Sequence, residues 1–328
     1  MGKFLEDEKP KHAEFKTNPD HFSDKARADG FYKTKFRPFC LPRENAEENL
    51  FDEIREPMLT YFAKYKIKWH DGQDSKPSNH MCDSQVCCAN FLFPFYDKPE
   101  ALAALLRPYF PFLEQMLPIE DKNYVACEWI GEEDYLGEKK PGNVKRTRGA
   151  NYTSADAVVM FSRMDGKKQI VLIEWKYTES YYPTWLKIAH SGTDRTVIYK
   201  KLYRKMDCPI SKVLLHNFSY VFYEPFYQLM RQQFLANEME KVNELGANIV
   251  SLLHISTAHN RDFLRVTSPK LRRLGSSPIE IWQKLVIKPD RFTGVHTEDL
   301  FGKFKVGGYP KLKGWWQYIT TRYPWVLS

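Results

Sequence analysis

No run of apolar residues in this 328-residue chain approaches the ~20 that a membrane-spanning helix requires, so a helical membrane protein is not expected. The first residues, MGKFLEDEKPKHAEFK, lack the apolar centre of a secretory signal, and Glu6 stands where an N-myristoylation signal carries Ser or Thr. Cysteine is sparse and unpatterned. The six residues at 40, 82, 87, 88, 127 and 208 follow no framework spacing, which argues against a disulfide-stapled secreted protein and for the reducing cytoplasm. His80, Cys82, Cys87 and Cys88 have zinc-ligand chemistry. Cys87 and Cys88 are adjacent, however, and no second pair follows at ligand spacing, so small buried hydrophobes are the simpler reading. No internal repeat is detectable.

What is present suits a folded globular chain: 43% of residues are hydrophobic and 27% charged, which excludes global disorder. Lys plus Arg exceed Asp plus Glu by 49 − 41 = +8, a modest push towards a polyanionic partner.

Residues 1–45 are polar, with Pro10, Pro19, Pro38 and Pro42, and read as a loosely structured arm. Residues 46–69 have helical spacing, with Pro57 expected to break or kink them. Asp83 or Ser84 can cap a helix that Pro94 closes, and residues 100–117 read as a helical stretch interrupted at Pro108 and Pro111. A short strand is expected at 124–130, a long helix at 225–245, a buried strand at 247–255 and a helix near 278–286. The aromatic tail, Trp315 to Trp325, is expected to dock on the core.

The chain is organised around residues 153–179, TSADAVVMFSRMDGKKQIVLIEWKYTE, two apolar strands joined by a turn. Asp156 interrupts the first strand, and the second runs straight into Glu174-Trp175-Lys176. Strand side chains alternate, so Glu174 and Lys176 leave one face together, within reach of the strand carrying Asp156. Two carboxylates and a lysine at a sheet edge suit metal-assisted phosphodiester hydrolysis. The acids hold Mg²⁺, which polarises phosphate and activates water, and the lysine neutralises charge at the nucleophile or transition state. The acid-x-lysine pattern recurs elsewhere, for example at Asp7/Lys9 and Asp165/Lys167, but only this copy follows four β-type apolar residues with an acid in the preceding strand. The competing reading is an exposed ion pair on an edge strand. A geometric condition follows. A two-residue Asp165-Gly166 turn would set Asp156 opposite Trp175, so shared metal binding requires a three- or five-residue loop, or a bulge.

Asp156, an 18-position gap, then Glu174-Trp175-Lys176 resembles the PD-(D/E)xK nuclease superfamily. More particularly, Ser84-Gln85 with Asn90-Phe91 and Pro94, Thr153-x-x-Asp156-Ala157, Ile173–Glu179 and Tyr227-Gln228-x-x-Arg231 are similar to a prokaryotic branch of it, over about residues 79–260. The resemblance implies a restriction-endonuclease-like mixed β-sheet core flanked by α-helices. It implies Asp156 and Glu174 as metal ligands, Lys176 assisting the nucleophile, and Gln228 and Arg231 as accessory groups near substrate phosphate. Alanine replaces the proline that precedes the aspartate in many members, and the first-helix glutamate of many members has no clear equivalent here. Glu128, ahead of Gln85, is the expected third ligand because an ionised carboxylate binds Mg²⁺ better than an amide does.

Three basic clusters are candidates for backbone contact: Lys139, Lys140, Lys145, Arg146 and Arg148; Arg195, Lys200, Lys201, Arg204 and Lys205; and Arg265, Lys270, Arg272 and Arg273. The first two flank the candidate site. The expectation is thus an α/β protein with an N-terminal arm and helical extension (1–78), a nuclease core (79–260) and a C-terminal extension packed on it (261–328). It is read as a Mg²⁺-dependent deoxyribonuclease, with Mn²⁺ as a substitute metal. DNA is favoured over RNA, no membrane is involved, and a homodimer or larger complex is allowed. The alternative is a catalytically silent nucleic-acid-binding or assembly protein that keeps the fold.

Overall fold

A computed structural model describes residues 2–72, 75–138, 145–150, 152–189 and 192–328. Helix α1 spans Lys3–Phe15, and a small hairpin pairs β1 (Gly30–Tyr32) with β2 (Lys35–Arg37). Helices α2 (Asp52–Tyr65), α3 (Ser84–Leu92) and α4 (Pro99–Leu106) follow, then β3 (Leu113–Leu117), β4 (Ala126–Trp129), β5 (Ala155–Arg163) and β6 (Lys168–Lys176). The second half contains α5 (Thr196–Arg204), α6 (Lys212–Leu215), α7 (Phe226–Lys241), β7 (Ile249–Ser256), α8 (Pro278–Leu285), β8 (Phe292–His296), α9 (Thr297–Gly302) and α10 (Lys313–Arg322).

Six strands form one mixed sheet in the order β3-β5-β6-β7-β8, with β4 also paired to β5. β3 lies against the C-terminal half of β5 and β4 against its N-terminal half, so the two share one edge. β5 and β6 are antiparallel, whereas β6, β7 and β8 run parallel. Both faces are covered, which is why β6 and β7 read as near-continuous apolar runs. Val159, Phe161, Val171, Ile173 and Trp175 face a core built with α1–α4, α9 and α10, while Val158, Met160, Ile170 and Leu172 face a second core built with α5–α8. The expected mixed sheet sandwiched by helices is the architecture found.

Several local expectations are corrected. The N-terminal stretch is not a loose arm: α1 runs through Pro10, and Glu8 and His12 on it are fully buried. α2 continues through Pro57, because burying Ile54, Met58, Tyr61 and Phe62 on one face outweighs one missing backbone bond. Residues 100–117 change type midway: α4 ends at Leu106, and the segment after Pro108 and Pro111 is β3. The sheet also takes β8 from beyond residue 260, and the core under α3 draws side chains from Phe4 to Val326. The aromatic tail is docked, with Trp315 and Trp325 buried.

Candidate active site

The β5–β6 hairpin fixes the geometry. Ala157 pairs with Ile173 and Ser162 with Lys168, and Arg163 N donates to Lys167 O (2.9 Å), leaving Met164-Asp165-Gly166 as a three-residue loop. Gly166 takes φ +77°, the left-handed position such loops assign to glycine. One step beyond the Ala157–Ile173 pair, Asp156 stands across from Glu174 and not from Trp175. On the other side of β5, the pairs Cys127–Ala157 and Trp129–Ala155 leave Glu128 across from Asp156. Glu174 pairs in turn with His254 on β7. Glu128, Asp156, Glu174 and His254 therefore form one row across four strands.

At this end of the sheet the alternation of faces breaks. Ala155 and Ala157 belong to opposite cores, as do Trp129 and Cys127, so Asp156 and Glu128 emerge at the rim between the two helical layers. Glu128 has φ +51°, a strained left-handed conformation for a side chain of its size. A cleft of ≈ 420 Å³ opens there, lined by Ser84 and Gln85 from α3, Gln228 from α7, Glu128, Asp156 and Lys176 from the sheet, and His70, Glu179 and Tyr181 from loops. Glu174 lies beneath it, 1% exposed.

Each acid is held by a different neighbour. Asp156 Oδ2 accepts from Trp175 N (2.7 Å). Glu128 accepts from Gln85 Nε2 (2.6 Å) and from Ser154 Oγ (2.8 Å), and Gln85 Oε1 in turn accepts from His70 N (2.8 Å). Glu174 pairs through Oε1 with Lys176 Nζ (2.5 Å) and through Oε2 with Gln232 Nε2, which also donates to Ser154 O (2.9 Å). The electrostatics follow from this crowding. Burial, then the Glu174 charge, pushes the Asp156 carboxyl well above its ordinary range, with Lys176 opposing. Glu128 is raised by burial and by Glu174, against the bonds from Gln85 and Ser154. Burial works to strip Lys176 of its proton, but the Glu174 carboxylate more than compensates, and the lysine is held above its usual value. His70, paired with Asp83 Oδ2 (3.2 Å), is pushed up to about 9 mainly by that bond, placing a cation at the cleft mouth.

The donor set is chemically suited to a hard divalent ion: oxygen ligands in a row whose mutual repulsion a cation would relieve. Among the described residues, however, no group of three or more His, Cys, Asp or Glu side chains is arranged to hold a metal ion.

Of the residues singled out in the sequence, Gln85, Glu128, Asp156, Lys176 and Gln228 meet in the cleft, while Glu174 is buried and reaches its lining through the ion pair to Lys176. Arg231 is turned aside, over the Tyr227 ring (4.8 Å) and towards Thr153. Asn90 has a structural role, accepting from Phe51 N and donating to Asn49 O. Arg148 is engaged within the fold by Glu120 (2.7 Å), Tyr61 and Cys127 O, and Arg146 by the carbonyls of Ile130, Gly131 and Glu132. Lys145, Lys200, Lys201 and Arg204 are exposed, while Lys139 and Lys140 lie outside the described residues. Of the third cluster, Arg272 and Arg273 donate to the carbonyls of Val266 and Leu214.

Sequence reasoning missed Gln232, one position past Arg231. Its signal was legible as a polar residue on the stripe Leu229-Gln232-Ala236 that α7 buries. His254 was missed too: it is 1% exposed, stacked on Phe263 (5.3 Å), held down to about 3 chiefly by burial, and has neither ring nitrogen hydrogen-bonded. Nothing in its strand marked it out, because only the parallel pairing with β6 sets it beside Glu174.

Among known proteins, the model of one family, described as restriction endonuclease associating with ARP, matches residues 7–324. Comparison with curated proteins found no match, and comparison with solved structures found none.

Proposed function

The chain belongs to the family of restriction endonucleases associating with ARP, and we propose that it is a Mg²⁺-dependent nuclease that hydrolyses DNA phosphodiester bonds in the cleft above the Glu128-Asp156-Glu174 row. The observation that carries this reading is the row itself: three carboxylates abreast on adjacent strands, Asp156 and Glu128 raised by burial and by the Glu174 charge, with Lys176 on the same rim. Structural ion pairs rarely bring three acids and one lysine together in a buried row, because desolvation and repulsion both oppose it.

In this reading Asp156 and Glu174 are the principal metal ligands, with Glu128 as the third, and the site belongs to the PD-(D/E)xK type. Bound Mg²⁺, or Mn²⁺ in its place, supplies Lewis acidity towards the phosphate and a more acidic bound water. The chain's own groups do the rest. Trp175 N fixes the Asp156 oxygen, Gln85 and Ser154 orient Glu128, and Gln232 orients Glu174. Lys176 remains an ammonium and stabilises negative charge developing at the attacking oxygen or the phosphoryl group. His70, cationic at neutral pH, and Gln228 line the cleft where the scissile phosphate is to lie.

A specific observation favours a second reading, a nucleic-acid-binding protein without turnover: Glu174 is bound to Lys176 and Gln232, and the acids form no ready metal cage among the described residues. The two are separated by incubating the protein, alone and together with ARP, with linear, circular and single-stranded DNA in Mg²⁺ or Mn²⁺. Cutting by the wild type that Asp156→Ala, Glu174→Ala and Lys176→Ala each abolish supports the nuclease. Cutting retained by the Asp156 or Glu174 variant sinks it, and Mg²⁺-indifferent binding without cutting supports the alternative.

A further inference from the structure

The β1–β2 hairpin is tied to the rim of the cleft but plays no part in the chemistry described above. Tyr32 Oη donates to Asp71 Oδ2 (2.6 Å), and Asp71 is the neighbour of His70, which lines the cleft. Residues 30–43 carry four cations, Lys33, Lys35, Arg37 and Arg43, and no acid. Phe36 is 67% exposed on β2, opposite the exposed Phe31 on β1, and the two rings lie edge-on at 5.4 Å. A pair of phenylalanines on an open hairpin is an unfavourable surface unless a partner covers it. Beside them is a concavity of ≈ 270 Å³ whose lining includes Phe31, Tyr32, Lys33, Arg43 and one acid, Asp71. The turn adds a second, independent sign. Lys33 has φ +56°, in a two-residue hairpin turn that ordinarily takes Gly, Asn or Asp, so a lysine stands at the tip despite the backbone strain.

We infer that this hairpin grips single-stranded or locally unstacked DNA next to the cleft, with Lys33, Lys35 and Arg43 on the phosphates and Phe36 against a base. The charge decides the class of partner. The cores of protein interfaces are depleted of lysine, whereas aromatic faces flanked by cations match the alternating bases and phosphates of a strand. Duplex DNA hides its base faces, so an exposed phenylalanine points to an unpaired or unstacked one. The inference rests on the nuclease reading for its choice of DNA, yet it is tested by binding and not by cutting.

The test is fluorescence anisotropy of the full-length chain in EDTA, using a labelled single strand and a blunt duplex of the same sequence. Phe36→Ala is expected to weaken single-strand binding about tenfold and duplex binding by about twofold or less, with Phe36→Tyr restoring it. Lys33→Ala/Lys35→Ala is expected to flatten the salt dependence of single-strand binding by roughly 1.4, two phosphate contacts at about 0.7 each. These side chains are exposed, and a melting temperature within about 2 °C of wild type shows that the variants fold. If both variants bind single strands as the wild type does, the hairpin inference is overturned and it becomes a protein-contacting surface. A wild type that binds no DNA overturns it equally. Wild-type binding without cleavage leaves the hairpin standing and sinks the nuclease, whereas cleavage with normal binding by both variants does the reverse.

Discussion

The site turns on individual charges placed where the fold alone would not choose them. Asp156 is raised above its ordinary range first by burial and then by Glu174, so its ionisation destabilises the folded chain. The sign follows: stability is complete at low pH and is lost as pH rises from the usual carboxylate range through the raised value. Asp156→Asn keeps an acceptor for Trp175 N and removes that loss. In EDTA at pH 8 it is expected to melt above the wild type by on the order of 2 °C for each kcal/mol recovered, while cleavage falls roughly 100-fold or more. A lower melting point in the variant would show that the row is not strained. His70 has the opposite role. Its cation depends first on Asp83, and Asn at that position retains the cap on Val86 N. With Asp83→Asn the His70 titration, followed by NMR, is expected to drop from about 9 towards its ordinary value near 6.5, and DNA binding to weaken from about pH 6.5 upwards where the wild type holds to about 9.

At the scale of elements, what matters is the phase between strands and helices. The three-residue loop sets the register of β6 against β5, and through it the placing of Glu174 across from Asp156. Gly166 enters a left-handed conformation there, so Gly166→Val is expected to cost about 1–2 kcal/mol in guanidinium unfolding and Gly166→Asn a few tenths. α7 supplies Gln232, which satisfies both Glu174 and Ser154 O. Gln232→Ala leaves a buried carboxylate oxygen and a carbonyl without a donor, an expected loss of about 1–3 kcal/mol with a parallel fall in kcat. An unchanged kcat with lowered stability would confine Gln232 to the fold. The register itself was within reach of sequence reasoning, since the demand that Asp156 share a rung with Glu174 excludes the two-residue turn. The third position of the row was not. Glu128 joins it only through the antiparallel pairing of β4 and its left-handed backbone, neither of which local sequence encodes.

Over the whole molecule, the two ends of the chain close on the strand that carries the lysine. Tyr177, immediately after Lys176, donates to the buried Glu8 of α1, and Trp325 Nε1 donates to the same carboxylate (2.9 Å). Arg322, 1% exposed, reaches from α10 to Asn49 and to Met81 O (3.0 Å). Glu8→Ala therefore removes the common acceptor of two buried donors and is expected to destabilise the entire protein by about 2–4 kcal/mol, read as a lowered cooperative melt. Residues 79–260 alone lack β8, α1 and the C-terminal clasp, so this fragment is expected to show no cooperative unfolding by circular dichroism. A sharp melt from the fragment would make the termini true extensions.

By itself the sequence determined what is local: two covered apolar strands with misplaced acids, the α7 helix, a cap at Asp83 or Ser84, and the oxygen chemistry that suits a hard metal. These are set by side-chain periodicity and by the cost of burying charge, which act over a few residues. Only the tertiary structure decided which acids stand abreast, that Gln232 rather than Arg231 meets Glu174, that His254 joins the row, and that Arg146 and Arg148 are engaged inside the fold. Those outcomes depend on pairings between segments distant in the chain, chosen by the burial of both sheet faces together, and no single segment carries the information that selects them.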